Sequence, residues 1–298
     1  MNLLNLKQYS IMKRLSLIGI VALLGLGASW AAHQSMVGNL VDISKAETRA
    51  GDLMETLDRL AGSLREENIA IQDYVLNRKI EKLAMYKELS VENNKALSNL
   101  VKGLSVEGAR VEAVSMQTIM ADYDRRTLVL KAARQKVGLN KDDGLTGQLR
   151  DSVHTVEKYL KAIHNDKLMV SMLMLRRHEK DFMLRGLEKY ITKHQQEVEK
   201  FDALLSRMDM SASSKRKIAG AMDNYAKSFH AYAIAHADML TQAKSLDDLF
   251  QNKLYASYHK TDDLFATYLT TLDASYADVL LVGPRYYLGI MLAVFLLV

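Results

Sequence analysis

Arg176, Arg177, His178, Glu179, Lys180 and Asp181 follow one another without a break inside 172-MLMLRRHEKDFMLRG-186, a segment otherwise rich in Met and Leu. Two arrangements suit such a run. It can form the solvated face of a long helix, or it can place charge inside a helical bundle, where a guanidinium grips a carboxylate through two parallel hydrogen bonds. Helical phasing divides the run between them. Leu168, Met172, Leu175, Phe182 and Met183 share an arc of about 100° on a 3.6-residue wheel, with Glu179 inside the arc and Arg176 just beyond one edge. Arg177 and Asp181 turn away. Arg176 is thus the first candidate for binding an anion, with Lys180 and Arg185 close to the same stripe. The pattern leaves open whether Arg176 holds a ligand or only pairs with Glu179 across one helical turn.

An earlier segment repeats the arrangement. Leu53, Leu57, Leu60, Leu64, Ile71 and Val75 form one apolar stripe with Asn68 at its edge and Arg59 and Arg65 nearby. The stretches 73-DYVLNRKIEKL-83 and 181-DFMLRGLEKY-190 share an order of Asp, aromatic, apolar, Leu, Arg, apolar and Glu-Lys. Upstream, a constant offset of 108 pairs Leu60 with Leu168, Leu64 with Met172 and Asn68 with Arg176. We read two related helical modules, which adds Arg59, Arg65 and Asn68 to the candidate ligand-binding set. His154, His178, His230 and His236 have the chemistry to donate to a ligand, although a lone His on a helix is more often structural or exposed.

Catalytic and metal signatures are missing. The chain has no Cys, which excludes a disulfide framework and a thiolate zinc site. It has no His-Glu-x-x-His or Glu-x-x-His pair for a helical metal centre and no Gly-x-Ser-x-Gly elbow. The expectation is a protein that is not an enzyme, with no catalytic residues, no metal and no cofactor. The net charge of +5 is modest, and three of the positive residues precede the first apolar run, so a nucleic-acid partner has no support.

The elements that must position these residues are long helices, because a chain with one Pro and few aromatics lacks the turns of a sheet-rich fold. Breaks are predicted at 102-KGLSVEG-108, 137-VGLNKDDGLTGQL-149 and 208-MDMSASSK-215, with a weaker one at 89-LSVEN-93 where Ser90 could cap. These give about six helices, several longer than the ~11-residue average, in bundles running along a membrane normal.

A membrane enters through the ends of the sequence. Leu15–Ala32 holds 18 residues without a charge, enough for a span, with Trp30 near its outer end. Lys7, Lys13 and Arg14 precede it, which keeps the N-terminus cytoplasmic and exports the chain beyond residue 32. Ala31 and Ala32 would also suit a cleaved signal peptide. Against that, YYLGIMLAVFLLV after Pro284 and Arg285 reads as the beginning of a second span, truncated at Val298. The predicted layout is a cytoplasmic 1–14, a transmembrane helix over 15–34, a periplasmic domain over 35–283 and a partial second transmembrane helix over 284–298. Two spans around an exported domain are the layout of a transmembrane receptor whose output part lies beyond this sequence.

Two runs carry a family resemblance. The segment 144-GLTGQLRDSVHTVEKYL-160, followed by 175-LRRHEKDFMLRGLEKYITKH-194, resembles the signature of helical bimodular sensor domains of bacterial chemoreceptors and some sensor kinases. The matching positions are Gly144, Leu145, Gly147, Leu149 and Arg150, then Val153, His154 and Glu157, then Arg176 to Arg185, with Met183 in place of a Leu. The resemblance implies an all-α fold of two stacked four-helix-bundle modules that share long helices, flanked by the two transmembrane helices. It further implies recognition of a small organic acid, such as a dicarboxylate, tricarboxylate or acetate. The implied receptor is an inner-membrane homodimer that acts through a cytoplasmic kinase and adaptor. A sensor kinase that docks a periplasmic binding protein and a ligand-free helical membrane scaffold are the alternative readings.

Overall fold

With almost no Pro and few Gly to interrupt them, residues 11–297, which the computed structural model describes, form helices joined by short loops, and no strand occurs among them. Lys7, with the rest of the expected cytoplasmic stretch up to residue 10, and Val298 lie outside the described residues. In chain order the helices are α1 (Ile11–Leu76), α2 (Lys82–Gly103), α3 (Glu107–Val137), α4 (Gly144–Ile163), α5 (Asp166–Arg185), α6 (Lys189–Ser206), α7 (Ala212–Leu249) and α8 (Tyr255–Leu297). A π-helical turn, Phe250–Leu254, joins α7 to α8 without a loop, and it buries Phe250 and Leu254.

Three of the predicted breaks occur, between α2 and α3, α3 and α4, and α6 and α7. Ser211 caps α7 by accepting the Ser214 amide at 3.1 Å. The break at 89–93 is a correction, because α2 runs straight through it. Ser90 sends its hydroxyl to Asp124 Oδ1 on α3 at 3.0 Å, and Asn94 donates to Oδ2 of the same carboxylate at 3.0 Å. An interhelical contact has taken the group that would have capped. The true break is 77–81, where Asn77 and Lys79 both bond Asp73 (2.7 and 2.8 Å) and Arg78 adopts a left-handed φ of 57°. Two further breaks fall at His164–Asn165 and at 186–188, so the described chain has eight α-helices rather than about six.

Among the described residues α1 is the one helix long and apolar enough to cross a membrane; its most apolar 18-residue window has a mean hydropathy of 2.0. Leu23, Leu24 and Trp30 are exposed on it. The apolar end of α8 does not reach that standard within the described residues, so the second span expected at 284–298 is not borne out there.

The helices belong to two compact units. One comprises, among the described residues, those up to Leu60, Ala96–Val114 and those from Ser257. In it Leu57 and Leu60 of α1 are buried together with Leu100, Leu104 and Phe265, and Tyr258 donates to Asp58 at 3.1 Å. Gly103 makes room for the Leu53 side chain, whose Cδ2 would lie 2.9 Å from a Cβ at that position.

The other unit comprises Ala61–Lys95 and Ser115–Ala256. Here α4 packs against α7 and α5, and α6 packs against α5 and α7, so the four close on one another. Their core is apolar and aromatic, with Val153, Leu175, Phe182, Phe201 and Phe229 buried and Phe182 set edge-on to Phe229 at 5.8 Å. From Leu64 and Met172 onward the repeat read from the sequence lies within this unit, whereas Leu60 belongs to the other. Tyr74 and Phe182, at the offset of 108, are both buried, and four residues later Arg78 and Gly186 (φ 63°) both take the left-handed conformation that ends α1 and α5. Each of these two helices also receives a phenol from another helix, though not at positions related by that offset. Tyr123 of α3 donates to Asn68 of α1, and Tyr225 of α7 donates to Glu179 of α5, each at 2.9 Å.

Candidate anion-binding cleft

α5 begins where Asn165 accepts the Leu168 amide at 3.0 Å and ends where the Gly186 amide closes on Phe182 O at 2.8 Å. Between these caps the wheel sets the fate of each charge. Glu179 is only 1% exposed, while Arg177 lies in solvent beside Asp181. Arg176 is part-buried and places Nη1 2.7 and 2.6 Å from the two oxygens of Glu179. Lys180 Nζ lies 3.1 Å from Glu179, and the Tyr225 hydroxyl donates to it at 2.9 Å. Burial, and then the nearby Glu179 charge, hold the Tyr225 phenol far above its ordinary pKa, so it stays a donor. Two cations and a phenol therefore hold the buried carboxylate in place.

The N-terminus of α4 is brought to the same place by glycines. A Cβ on Gly147 would collide with the Asp142 carbonyl, and Gly144 has φ +54°, so the 138–143 loop folds tightly onto the first turn of α4. Thr146 ties that turn back to the Val137 carbonyl at 2.7 Å, and Arg150 pairs with Asp142. His154 lies 3.2 Å from Glu157, which in turn is 4.0 Å from Arg176.

These pieces enclose a cleft of about 320 Å³. Arg78 from the end of α1, Lys141 from the loop, Arg150 and His154 from α4, and Arg176 and Lys180 from α5 all line it, against the single acid Glu179. Arg176, Arg150 and Lys180 already have acidic partners, whereas Arg78 and Lys141 make no ion pair among the described residues. The volume is at the small end of ligand pockets, and the surplus of positive charge suits an anion with more than one carboxylate.

Arg176 and Lys180 are thus the predicted residues that the cleft contains. The others lie elsewhere. Arg59 is exposed and pairs with Glu55 at 3.8 Å. Arg65 bonds the Tyr255 hydroxyl and lies over its ring at 5.1 Å. Asn68 is buried, accepting from Tyr123 and donating to Asp247 at 3.2 Å. Arg185, on the other flank of α5, donates to the Tyr190 hydroxyl at 2.8 Å. Among the histidines His154 lines the cleft, His230 is exposed, and burial lowers the pKa of His178 and His236.

Arg78 and Lys141 were not singled out by sequence reasoning. The repeat held one signal for Arg78, since the offset of 108 aligns it with Gly186 and so marks it as a side chain at a position suited to glycine. Lys141 sits in a loop whose fold no local pattern announces. No family model matches the chain, and neither do the curated proteins or the solved structures with which it was compared.

Proposed function

We propose that this chain is the periplasmic sensing region of a transmembrane chemoreceptor of the helical bimodular kind, and that its cleft at α4 and α5 receives a small di- or tricarboxylate. The observation that carries this reading is the convergence of Arg78, Lys141, Arg150, Arg176 and Lys180 on one cleft with a single acidic lining residue. One ligand carboxylate meets Arg78 and Lys141, which lack an ion pair, and a second reaches the Arg176 edge. Glu179 holds Arg176 and Lys180 at fixed positions, so less ordering is needed when the ligand arrives. In this reading two four-helix modules share long helices, and the receptor is a homodimer in the inner membrane.

Signalling requires that the ligand favour one helix arrangement over another, and it acts only through its differential affinity for the two. The cleft is built from α4 and α5, and α4 packs along α7, which continues through the π turn into α8. A shift of α4 against α7 is the displacement proposed to pass toward a cytoplasmic signalling domain with its kinase and adaptor.

Isothermal titration of the whole chain in nanodiscs with acetate, succinate and citrate tests the reading. Succinate or citrate binds more tightly than acetate, and Lys141→Ala and Arg176→Ala each weaken binding roughly tenfold or more, as expected for loss of a charged hydrogen bond. If none of the three acids binds, or if both variants bind like the parent chain, the cleft is not the ligand site.

A further inference from the structure

Arg134 of α3 is 1% exposed and is the bulkiest fully buried side chain among the described residues. Its terminal nitrogens donate to backbone carbonyls at two helix ends, Val75 of α1 (3.2 Å) and Gly138 just past α3. Its Nε has no hydrogen-bond partner, and no carboxylate pairs with it among the described residues. The side chains that interact with it electrostatically are Arg78, Tyr232 and Tyr74, and His236 also feels its charge. Helix-end carbonyls supply only partial negative charge, so a buried guanidinium here keeps most of its charge uncompensated. Arg78 adds a second positive charge rather than relieving the first. Burial and Arg78 accordingly pull the Arg134 pKa below its ordinary value.

The neighbours of Arg134 are unsatisfied in the same way. The hydroxyls of Tyr74 and Tyr232 and the Nδ1 of His236 are all buried without a hydrogen-bond partner. The Arg78 guanidinium lies close enough to Tyr232 to act on its hydroxyl both by charge and as a donor, but the contact lacks hydrogen-bond geometry and the phenol proton has no acceptor. Tyr232 and His236 lie one turn apart on α7 with their rings stacked at 5.5 Å, while Tyr74 is next in sequence to the Val75 whose carbonyl Arg134 holds. Burial keeps both phenols protonated and, helped by Arg134 and Arg78, keeps the imidazole neutral, so each can present one proton. Three helices thus set Tyr74, Tyr232 and His236, each with an orphan polar group, within electrostatic reach of the uncompensated Arg134 and its orphan Nε.

We propose that a chloride ion binds among Arg134 Nε, the Tyr74 and Tyr232 hydroxyls and His236 Nδ1. A single negative charge balances the guanidinium, and a spherical ion accepts donors from any direction, whereas a carboxylate accepts them mainly near its own plane. The ion gives a partner to each orphan group and neutralises the charge beneath Arg78, a residue that also lines the organic-acid cleft. The site uses none of the α4 or α5 cations and stands independently of the proposed receptor function.

Thermal unfolding of the whole chain in nanodiscs, with chloride replacing gluconate at constant ionic strength, tests this. The midpoint temperature rises with chloride and then saturates, as for an ion that binds only the folded chain. Tyr74→Phe and Tyr232→Phe keep the rings and remove one donor each, and each raises the half-saturating chloride about tenfold. Arg134→Met abolishes the response; should that variant not fold, the two Phe variants decide. Arg176→Ala, which weakens organic-acid binding, leaves the chloride response unchanged, so failure of one site is distinguishable from failure of the other. A midpoint that ignores chloride or rises without saturating, or Phe variants that respond like the parent chain, would overturn the proposal.

Discussion

Glu67 of α1 is fully buried, with Oε2 accepting from Asn93 of α2 at 2.6 Å and Oε1 unpartnered. Burial raises its pKa to about 8, with Asp124 pushing the same way and Asn93 and Ser90 opposing. Tyr86 and Tyr123 also feel its charge. An acid whose folded pKa lies above its unfolded value keeps its proton in the native chain after the unfolded chain has lost it. The unfolded state then binds fewer protons, and stability falls as pH rises from about 4.5 to about 8, then levels off. The slope from this one group approaches about 1.4 kcal/mol per pH unit. Glu67→Gln removes it, so thermal unfolding at pH 5, 6.5 and 8 shows the variant gaining on the parent chain as pH rises. Parallel curves for the two chains would show that Glu67 ionises normally. Its burial was only partly legible in the sequence, since position 67 flanks the stripe of Leu64 and Ile71 on one side as Asn68 does on the other. Arg134 shares an arc with Tyr123, Leu130 and Val137, from which Lys131 and Lys136 turn away, but phasing alone did not show that no carboxylate would face it.

Helices were legible wherever the apolar period was strong, and their ends wherever Gly or Ser punctuated them. Elements that end on other chemistry were missed. α1 stops at a left-handed Arg78 whose neighbours Asn77 and Lys79 bond Asp73, and α4 stops at a left-handed His164, where glycine is the usual signal. Ser90 misled in the opposite sense, its capping chemistry being spent on Asp124 of another helix. The glycines at the start of α4 show how an element carries a site. Gly147→Ala drives a methyl into the Asp142 carbonyl, which must move the loop that brings Lys141 and the Arg150 partner to the cleft. The expected cost is about 1–3 kcal/mol of stability, with weaker organic-acid binding. Gly220→Ala is the control, for it lies inside α7 with nothing within 4 Å of the added methyl. It should stabilise the chain by about 0.5–1 kcal/mol. Thermal unfolding of the two variants checks both signs, and equal effects would remove the close-approach argument.

For the whole molecule, the question is which parts of a 298-residue chain share a side of a membrane. At 66 residues, α1 is more than three times as long as the ~20 that a span needs, so a membrane can hold only a short part of it. The uncharged run 15–32 is the part that fits, since moving a charge such as Lys45 or Asp42 into hydrocarbon costs about 2.5–3.5 kcal/mol on the insertion scale. By the positive-inside rule Lys13 and Arg14 at its start predict its orientation, with the residues that follow the run expected on the opposite face. Because the chain has no Cys, each introduced thiol is a unique reporter. Lys87 of α2 and Lys217 of α7 are exposed, as is Lys13 before the span. In spheroplasts of a bacterial host, a membrane-impermeant maleimide labels Lys87→Cys and Lys217→Cys at once, and labels Lys13→Cys only after lysis. Labelling of Lys13→Cys in intact spheroplasts would invert the topology, and a product that has lost the Lys13→Cys thiol altogether would mean that 15–32 is cleaved rather than retained. Retention with the predicted sidedness would leave the cleft at α4 and α5 facing the compartment from which a periplasmic organic acid arrives, as the proposed receptor requires.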